Sequence, residues 1–241
     1  MILSQRKRQH LQYLYRGGRL PAVFAWLVRA LLSPLYYREA RYVLARKVPE
    51  RSSLGSASGG EGNVEGECIM VESPEALRAV EGEIPSSLTY SLESLRKHLA
   101  QGCVVFLIFC PKETGQERAF IGYGIYQRNV LFVLGREKAV SLNILCSRYH
   151  EMLPKYRGQR YSDIMRFTRD EYCRKNGVKF LCGTVAPDNR SSVKSVLTRG
   201  GYKVIGTAVR VSILRGCFVW ETPLEKIEAA LRDFFRQEMR G

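Results

Sequence analysis

Residues 141–185 read strand, basic loop, helix, strand, and that order restricts the fold more than any other feature of the chain. Within 141–153 the residues alternate, Leu142, Ile144 and Cys146 on one side and Asn143, Ser147, Tyr149 and Glu151 mostly on the other. Residues 152–162 (MLPKYRGQRYS) make a basic loop with one glycine. The pattern predicts a helix from about 162 to 175, stopped by Asn176-Gly177, and then a strand over 180–185. A strand that returns through a helix runs parallel to its neighbour, whereas hairpins give antiparallel pairs. Upstream lie the apolar run 103–109 and two strand-like segments, 119–126 and 130–134, joined by a turn at Gln127-Arg128-Asn129. From residue 67 onward the order is β-α-α-β-β-β-β-α-β-α-β-α. That is an α/β (α+β) domain with a mixed, mostly antiparallel sheet flanked by helices.

The sharpest change of composition is at residues 50–66, ERSSLGSASGGEGNVEG, with five glycines and four serines. Such a segment cannot bury enough apolar surface to order itself. It divides the sequence into a basic helical extension (1–49), a flexible linker (50–66) and a domain (67–241) that closes with a helix over 223–240. In the extension, 3–16 and 20–32 read as helices and 42–48 as a short strand or extended arm. The longest apolar stretch, 21–37, is interrupted by Arg29 and Pro34 and falls short of a membrane span. No small-residue cleavage site follows it, so the expected location is the cytoplasm.

The 241 residues carry 38 Lys and Arg against 23 Asp and Glu, a formal charge of +15, which favours an anionic partner. Seven cysteines without a C-x-x-C pair, and three scattered histidines, point to reduced thiols and to no metal site. Around the apolar residues Phe24, Trp26, Leu27, Leu31 and Leu32, the extension has Arg6, Lys7, Arg8, Arg16 and Arg19 upstream and Arg38, Arg41 and Lys47 downstream. Two readings stand: peripheral attachment to the inner, anionic face of a membrane, or packing of the extension onto the domain with its charges solvated.

A strand that ends in a basic glycine-containing loop and opens into a helix aims several backbone N–H groups at one point, where the helix dipole reinforces them. This is a seat for a phosphate or pyrophosphate. Here the sequence resembles the GNAT N-acetyltransferase superfamily: Pro154, Tyr156, Arg157 and Gly158 match its P-x-Y-R-G-x-G-x-G/A signature in register. A second signature, a strand, Asn, a small residue three later, a helix and Gly-Phe/Tyr, is matched by Asn189, Ser192, Gly201 and Tyr202. The resemblance implies binding of acetyl-CoA or another acyl-CoA and transfer of its acyl group to an amine. It puts the pyrophosphate on Arg157, Gly158, Gln159, Arg160, Tyr161 and Ser162, and the pantetheine near Met152, Leu153, Asn189 and Ser192.

The sequence departs from the family at three places. Arg160 and Ser162 stand where glycine is usual, with Ser162 a candidate helix cap. Val196 stands where many members carry a tyrosine that protonates the leaving thiolate, so the acid is unassigned. Glu151 and Tyr149 are the candidate bases on the strand face that would look into the cleft; His150 should point the other way. The leading expectation is therefore an acyl-CoA-dependent N-acetyltransferase with an unnamed amine acceptor. The alternatives are a GNAT-like acyl-CoA-binding module without turnover and, on charge alone, a nucleic-acid-binding protein. The last lacks an RNP-like strand, a zinc site or a helix-turn-helix.

Overall fold

The computed structural model describes residues 36–50, 65–85, 91–111, 118–213 and 218–240. The expected helices at 3–16 and 20–32 and most of the 50–66 linker lie outside them. The chain forms two compact units. The larger comprises Arg41–Ala208 and Pro223–Gly241; the smaller takes in Val209–Thr222 together with the chain up to Ala40.

In the larger unit the strands are β1 (Tyr36–Lys47, here from Arg41 on), β2 (Glu67–Val71), β3 (Cys103–Pro111), β4 (Arg118–Arg128), β7 (Ile144–Met152), β8 (Phe180–Val185) and the first part of β9 (Lys203–Ile213). Their order is β9-β1-β8-β7-β4-β3-β2. β1–β8, β2–β3, β3–β4 and β4–β7 are antiparallel, and β7–β8 is parallel. The sheet is thus mixed and mostly antiparallel, as the sequence order requires. A two-residue turn, Leu134-Gly135, joins the short pair β5 (Val130–Val133) and β6 (Arg136–Ala139).

Strand alternation sends one set of side chains to each face. From β3, Val104, Phe106, Ile108 and Cys110 pack with Met165, Tyr172 and Cys173 of α3 (Tyr161–Lys175). Cys103, Val105, Leu107 and Phe109 point the opposite way, onto Leu77 of α1 (Pro74–Arg78) and Leu95 and Leu99 of α2 (Leu92–Ala100). The run 103–109 is continuously apolar because both faces of a central strand are covered. Ser73 and Ser91 cap α1 and α2 by accepting from Ala76 N–H and Ser94 N–H. Further along the second face, α5 (Leu224–Arg240) lays Leu224, Ile227, Leu231, Phe234 and Phe235 over Phe180, Cys182 and Val43. The remaining helix, α4, spans Arg190–Thr198.

One boundary differs from the sequence reading. Residues 42–47 do not belong to an extension: they fill the slot beside β8, pairing Tyr42 with Val185 through Lys47 with Phe180. Val43, Leu44 and Ala45 are at most 4% exposed. A short apolar run preceded by basic residues looks like an arm in one dimension; its partners are too far along the chain for local pattern to reveal. Among the described residues no helix is long and apolar enough to cross a membrane.

In the smaller unit, residues 210–213 of β9 pair antiparallel with β10 (Phe218–Glu221), from Arg210 opposite Glu221 to Ile213 opposite Phe218. Arg210 and Glu221 form an ion pair, and Thr222 Oγ1 accepts from Val209 N–H at 2.9 Å.

Candidate active site

β7 parts from its parallel neighbour after three residues. Ile144, Leu145 and Cys146 pair with Phe180, Leu181 and Cys182, and the ladder stops there. At the parting, a Cβ on Gly183 would lie 3.2 Å from Ser147 Cβ, so the glycine lets the strands converge before they separate. The other edge of β7 stays on β4 as far as Met152, but with a bulge: Tyr126 faces Ser147 and Ile125 faces Tyr149, leaving Arg148 as the extra residue. The bulge inverts the alternation. Ser147 opposes a residue of the α3 face, whereas Tyr149 packs with the α1–α2 core. The period-two pattern in the sequence had put Ser147, Tyr149 and Glu151 together, since a one-residue bulge leaves no trace in it.

Tyr149 and Glu151 therefore share the α1–α2 face, joined by a residue that sequence reasoning missed. Tyr123 on β4 is fully buried, stacks on Tyr149 with ring centroids 5.7 Å apart, and donates to Glu151 Oε2 at 3.1 Å. Tyr149 approaches the same oxygen at 3.5 Å. The only hint of this in the sequence is a tyrosine between two glycines, Gly122 and Gly124, on an apolar strand. His150 takes the opposite face, as expected. The residue is exposed at the surface, but protein packed around it withdraws part of its hydration, and this desolvation, with the Arg169 charge nearby, pushes its pKa below the ordinary histidine range despite the Glu151 carboxylate.

Past Met152 the chain makes a turn of 3-10 helix at Pro154–Tyr156 and enters the loop. Gly158 has φ +83° and Arg160 φ +65°. The second angle accounts for the glycine usual at that position in the GNAT signature: it is left-handed backbone, which costs a side-chain-bearing residue about 1–2 kcal/mol. Arg160 is the residue that caps α3, without a side-chain hydrogen bond, and Ser162 lies inside the first turn, not at the cap expected for it. Among the described residues, the N–H groups of Gly158, Gln159, Arg160, Tyr161 and Ser162 meet no backbone acceptor. Lys155, Arg157 and Arg160 supply positive charge, all exposed. Arg157 Nε donates to the Met152 carbonyl at 3.0 Å, which brings its guanidinium to the end of β7. Leu153 N–H is turned away, onto Ile121 O at 2.8 Å. Asp163 in the first turn carries the opposite charge, and Arg160 and Arg166 flank it at 3.4 and 3.5 Å.

The loop thus gathers Arg157, Gly158, Gln159, Arg160, Tyr161 and Ser162 around the start of α3. Asn189 and Ser192 form a separate pair at the start of α4, where Asn189 Oδ1 accepts from Ser192 N–H at 3.3 Å and from Ser191 Oγ at 3.2 Å. Their observed work is capping. Tyr202 lies in the α3-side core beside a buried charge cluster: Arg46 and Arg169 both meet Asp170, Arg169 also donates to Tyr126 Oη at 3.2 Å, and all three charged residues are under 8% exposed.

Next to the loop an open cavity of about 1040 Å³ is lined by Leu153 and Lys155 together with Phe120, Glu67, Glu83 and Arg118. Arg118 bonds Glu83 through two nitrogens and Glu67 through a third, holding the Glu83 carboxyl below its usual range. Phe120 also packs against Tyr123, so the cavity wall continues toward Glu151. Among the described residues no group of three or more His, Cys, Asp or Glu could hold a metal ion.

No protein-family model matches the chain, and no curated protein does. Among solved structures it is similar to a GCN5-related N-acetyltransferase-like protein from Streptococcus suis, with 10% identity over 78% of this chain and 67% of the other and a TM-score of 0.44. It is also similar to a tandem GNAT protein from the clavulanic acid biosynthesis pathway (16% identity, 77% and 55% covered, TM-score 0.43). A third is a conserved protein of unknown function from Staphylococcus epidermidis (8% identity, 77% and 65% covered, TM-score 0.42). The chain spans less than two thirds of the length of the last two. These are distant likenesses of architecture; the fold itself is a mixed, mostly antiparallel sheet flanked by helices.

Proposed function

We propose that the chain binds an acyl-CoA at the mouth of the opening between β7 and β8 and transfers its acyl group to an amine. The observation that carries this reading is the three-residue parallel ladder, after which β7 runs on without β8 to Met152 and a loop whose five N–H groups, at the start of α3, meet no backbone acceptor among the described residues. The donor set fits a pyrophosphate. The N–H groups lie at the positive end of a 15-residue helix, and Arg157 stands beside them at the end of β7. The edge of β7 beyond Cys146, free of β8, suits an extended chain bearing amide groups.

When bound, an acyl-CoA supplies a thioester carbonyl activated toward amines. In this reading the amine approaches from the α1–α2 face and Glu151 takes its proton, with Tyr123 and Tyr149 fixing the carboxylate. Met152 and the Arg157 guanidinium orient the pantetheine end, while Asn189 and Ser192 border the far side. Val196 offers no proton. A thiol of ordinary acidity leaves as thiolate and is protonated by water, so no protein acid is required.

Calorimetry of the full chain with acetyl-CoA tests the reading. The parent should bind, and Arg157→Glu should abolish binding by setting a carboxylate against the pyrophosphate. A parent that ignores acetyl-CoA overturns the proposal, and an R157E protein that binds like the parent overturns this placement of the phosphate seat. Binding without acyl transfer to any of a broad panel of amines would favour the module without turnover.

A further inference from the structure

The hairpin of β9 and β10 is amphipathic and its apolar side is open. Phe218 faces Ile213 and Trp220 faces Val211 across the ladder, so these four side chains share one face. The other face holds Arg210, Ser212, Val219 and Glu221, including the ion pair. Phe218 is 66% exposed, Trp220 59% and Ile213 41%. Within the same unit, the first residues of β1 expose two more aromatics, Tyr36 (52%) and Tyr37 (43%). A soluble surface rarely presents so many large apolar side chains at once.

The chain that leads into Tyr36 indicates what covers this face. Residues 1–35 contain Arg6, Lys7, Arg8, Arg16, Arg19 and Arg29 and no acidic residue at all. Six positive charges therefore stand in the sequence directly before the first strand of the unit that displays the aromatic hairpin. Trp, Tyr and Phe beside a cluster of basic residues suit the boundary between lipid headgroups and acyl chains, where amphipathic rings partition and anionic headgroups attract the cations. We infer that the β9–β10 hairpin is a membrane-docking surface, with Phe218 and Trp220 inserting into an anionic bilayer and the basic amino-terminal chain holding it there. The inference is independent of acyl transfer.

The chain has two tryptophans, Trp26 and Trp220, so a Trp26→Phe variant reports on the hairpin alone. Its emission is read with vesicles of phosphatidylcholine and of phosphatidylcholine with phosphatidylglycerol, with and without brominated acyl chains, and flotation of the parent chain measures binding separately. The expected result is a blue shift and bromine quenching on the anionic vesicles, at least about tenfold weaker partition onto neutral ones, and loss of binding as salt rises. A Phe218→Ser change should then weaken partition roughly tenfold. Any of four results overturns the inference. They are no flotation of the parent, flotation with Trp220 emission unchanged, a W26F protein that no longer floats, or a blue shift that grows with protein concentration in the absence of lipid. The last would mean that a second copy covers the face.

Discussion

Replacing Gly122 by alanine tests how closely β7 must lie against β4 for the site to exist. Gly122 pairs with Met152, and a Cβ built on it lies 2.3 Å from the Glu151 carbonyl oxygen, 2.9 Å from Met152 Sδ and 3.0 Å from Met152 Cα. The sulfur can swing aside, but the carbonyl and Cα are backbone. Since Cβ contacts under 3.0 Å essentially never occur, the Glu151 carbonyl must retreat by at least 0.7 Å, and the end of β7 moves with it. Overpacking of this kind costs about 1–3 kcal/mol. With a urea slope of about 2–3 kcal/mol/M, the midpoint of unfolding should fall by about 0.3 to 1.5 molar at unchanged slope. Gly206→Ala is the matched control: its Cβ would meet nothing within 4 Å and its φ is not positive, so its stability should stay within about 0.5 kcal/mol of the parent. Because the displaced residues lead into the phosphate loop, Gly122→Ala should also weaken acetyl-CoA binding, whereas Gly206→Ala should not. Equal midpoints for the two variants would refute the steric argument.

Tyr123→Phe removes one hydroxyl and no ring contact. A hydrogen bond to a carboxylate is worth about 1.5–3 kcal/mol, so urea unfolding should show a loss in that range, with a smaller one for Tyr149→Phe at its longer distance; equal losses would contradict the geometry. His150, with its pKa held down to about 4, should show no imidazole titration by proton NMR near 6.5. The unfolded chain takes up that proton first, so stability should fall as pH drops from 6.5 toward about 4, and His150→Asn should flatten that part of the curve. A His150 resonance titrating near 6.5 would show that water, not protein, sets its environment.

The parts of the fold visible in the sequence were those fixed by neighbours in the chain. The apolar run of β3, the helix stopped at Asn176-Gly177 and the loop before it all follow from local pattern, and the parallel pairing of β7 and β8 follows from the intervening helix. The place of β1 was not visible, because nothing near residue 42 indicates that residue 185 will be its partner. At the site, the loop residues could be found from their resemblance and chemistry. Tyr123 could not, since it reaches Glu151 only through the β4–β7 register. The bulge at Arg148 and the left-handed backbone at Arg160 were equally hidden: each is a conformation held by the surrounding structure, in residues whose own preferences run against it.

The central place of β1 also bears on the timing of folding. Val43 pairs with Thr184, 141 positions later, and the strand's other neighbour, β9, comes later still, so the first of the described strands to leave the ribosome waits until both have followed. Until then Val43, Leu44 and Ala45, buried in the finished sheet, stay open to solvent and to other chains. Contacts this distant in sequence slow folding, and unpaired apolar strands invite aggregation while they wait. A chain begun at Glu67 would meet the same hazard permanently, with a vacant slot along β8. A peptide of residues 36–50 added in trans should fill it.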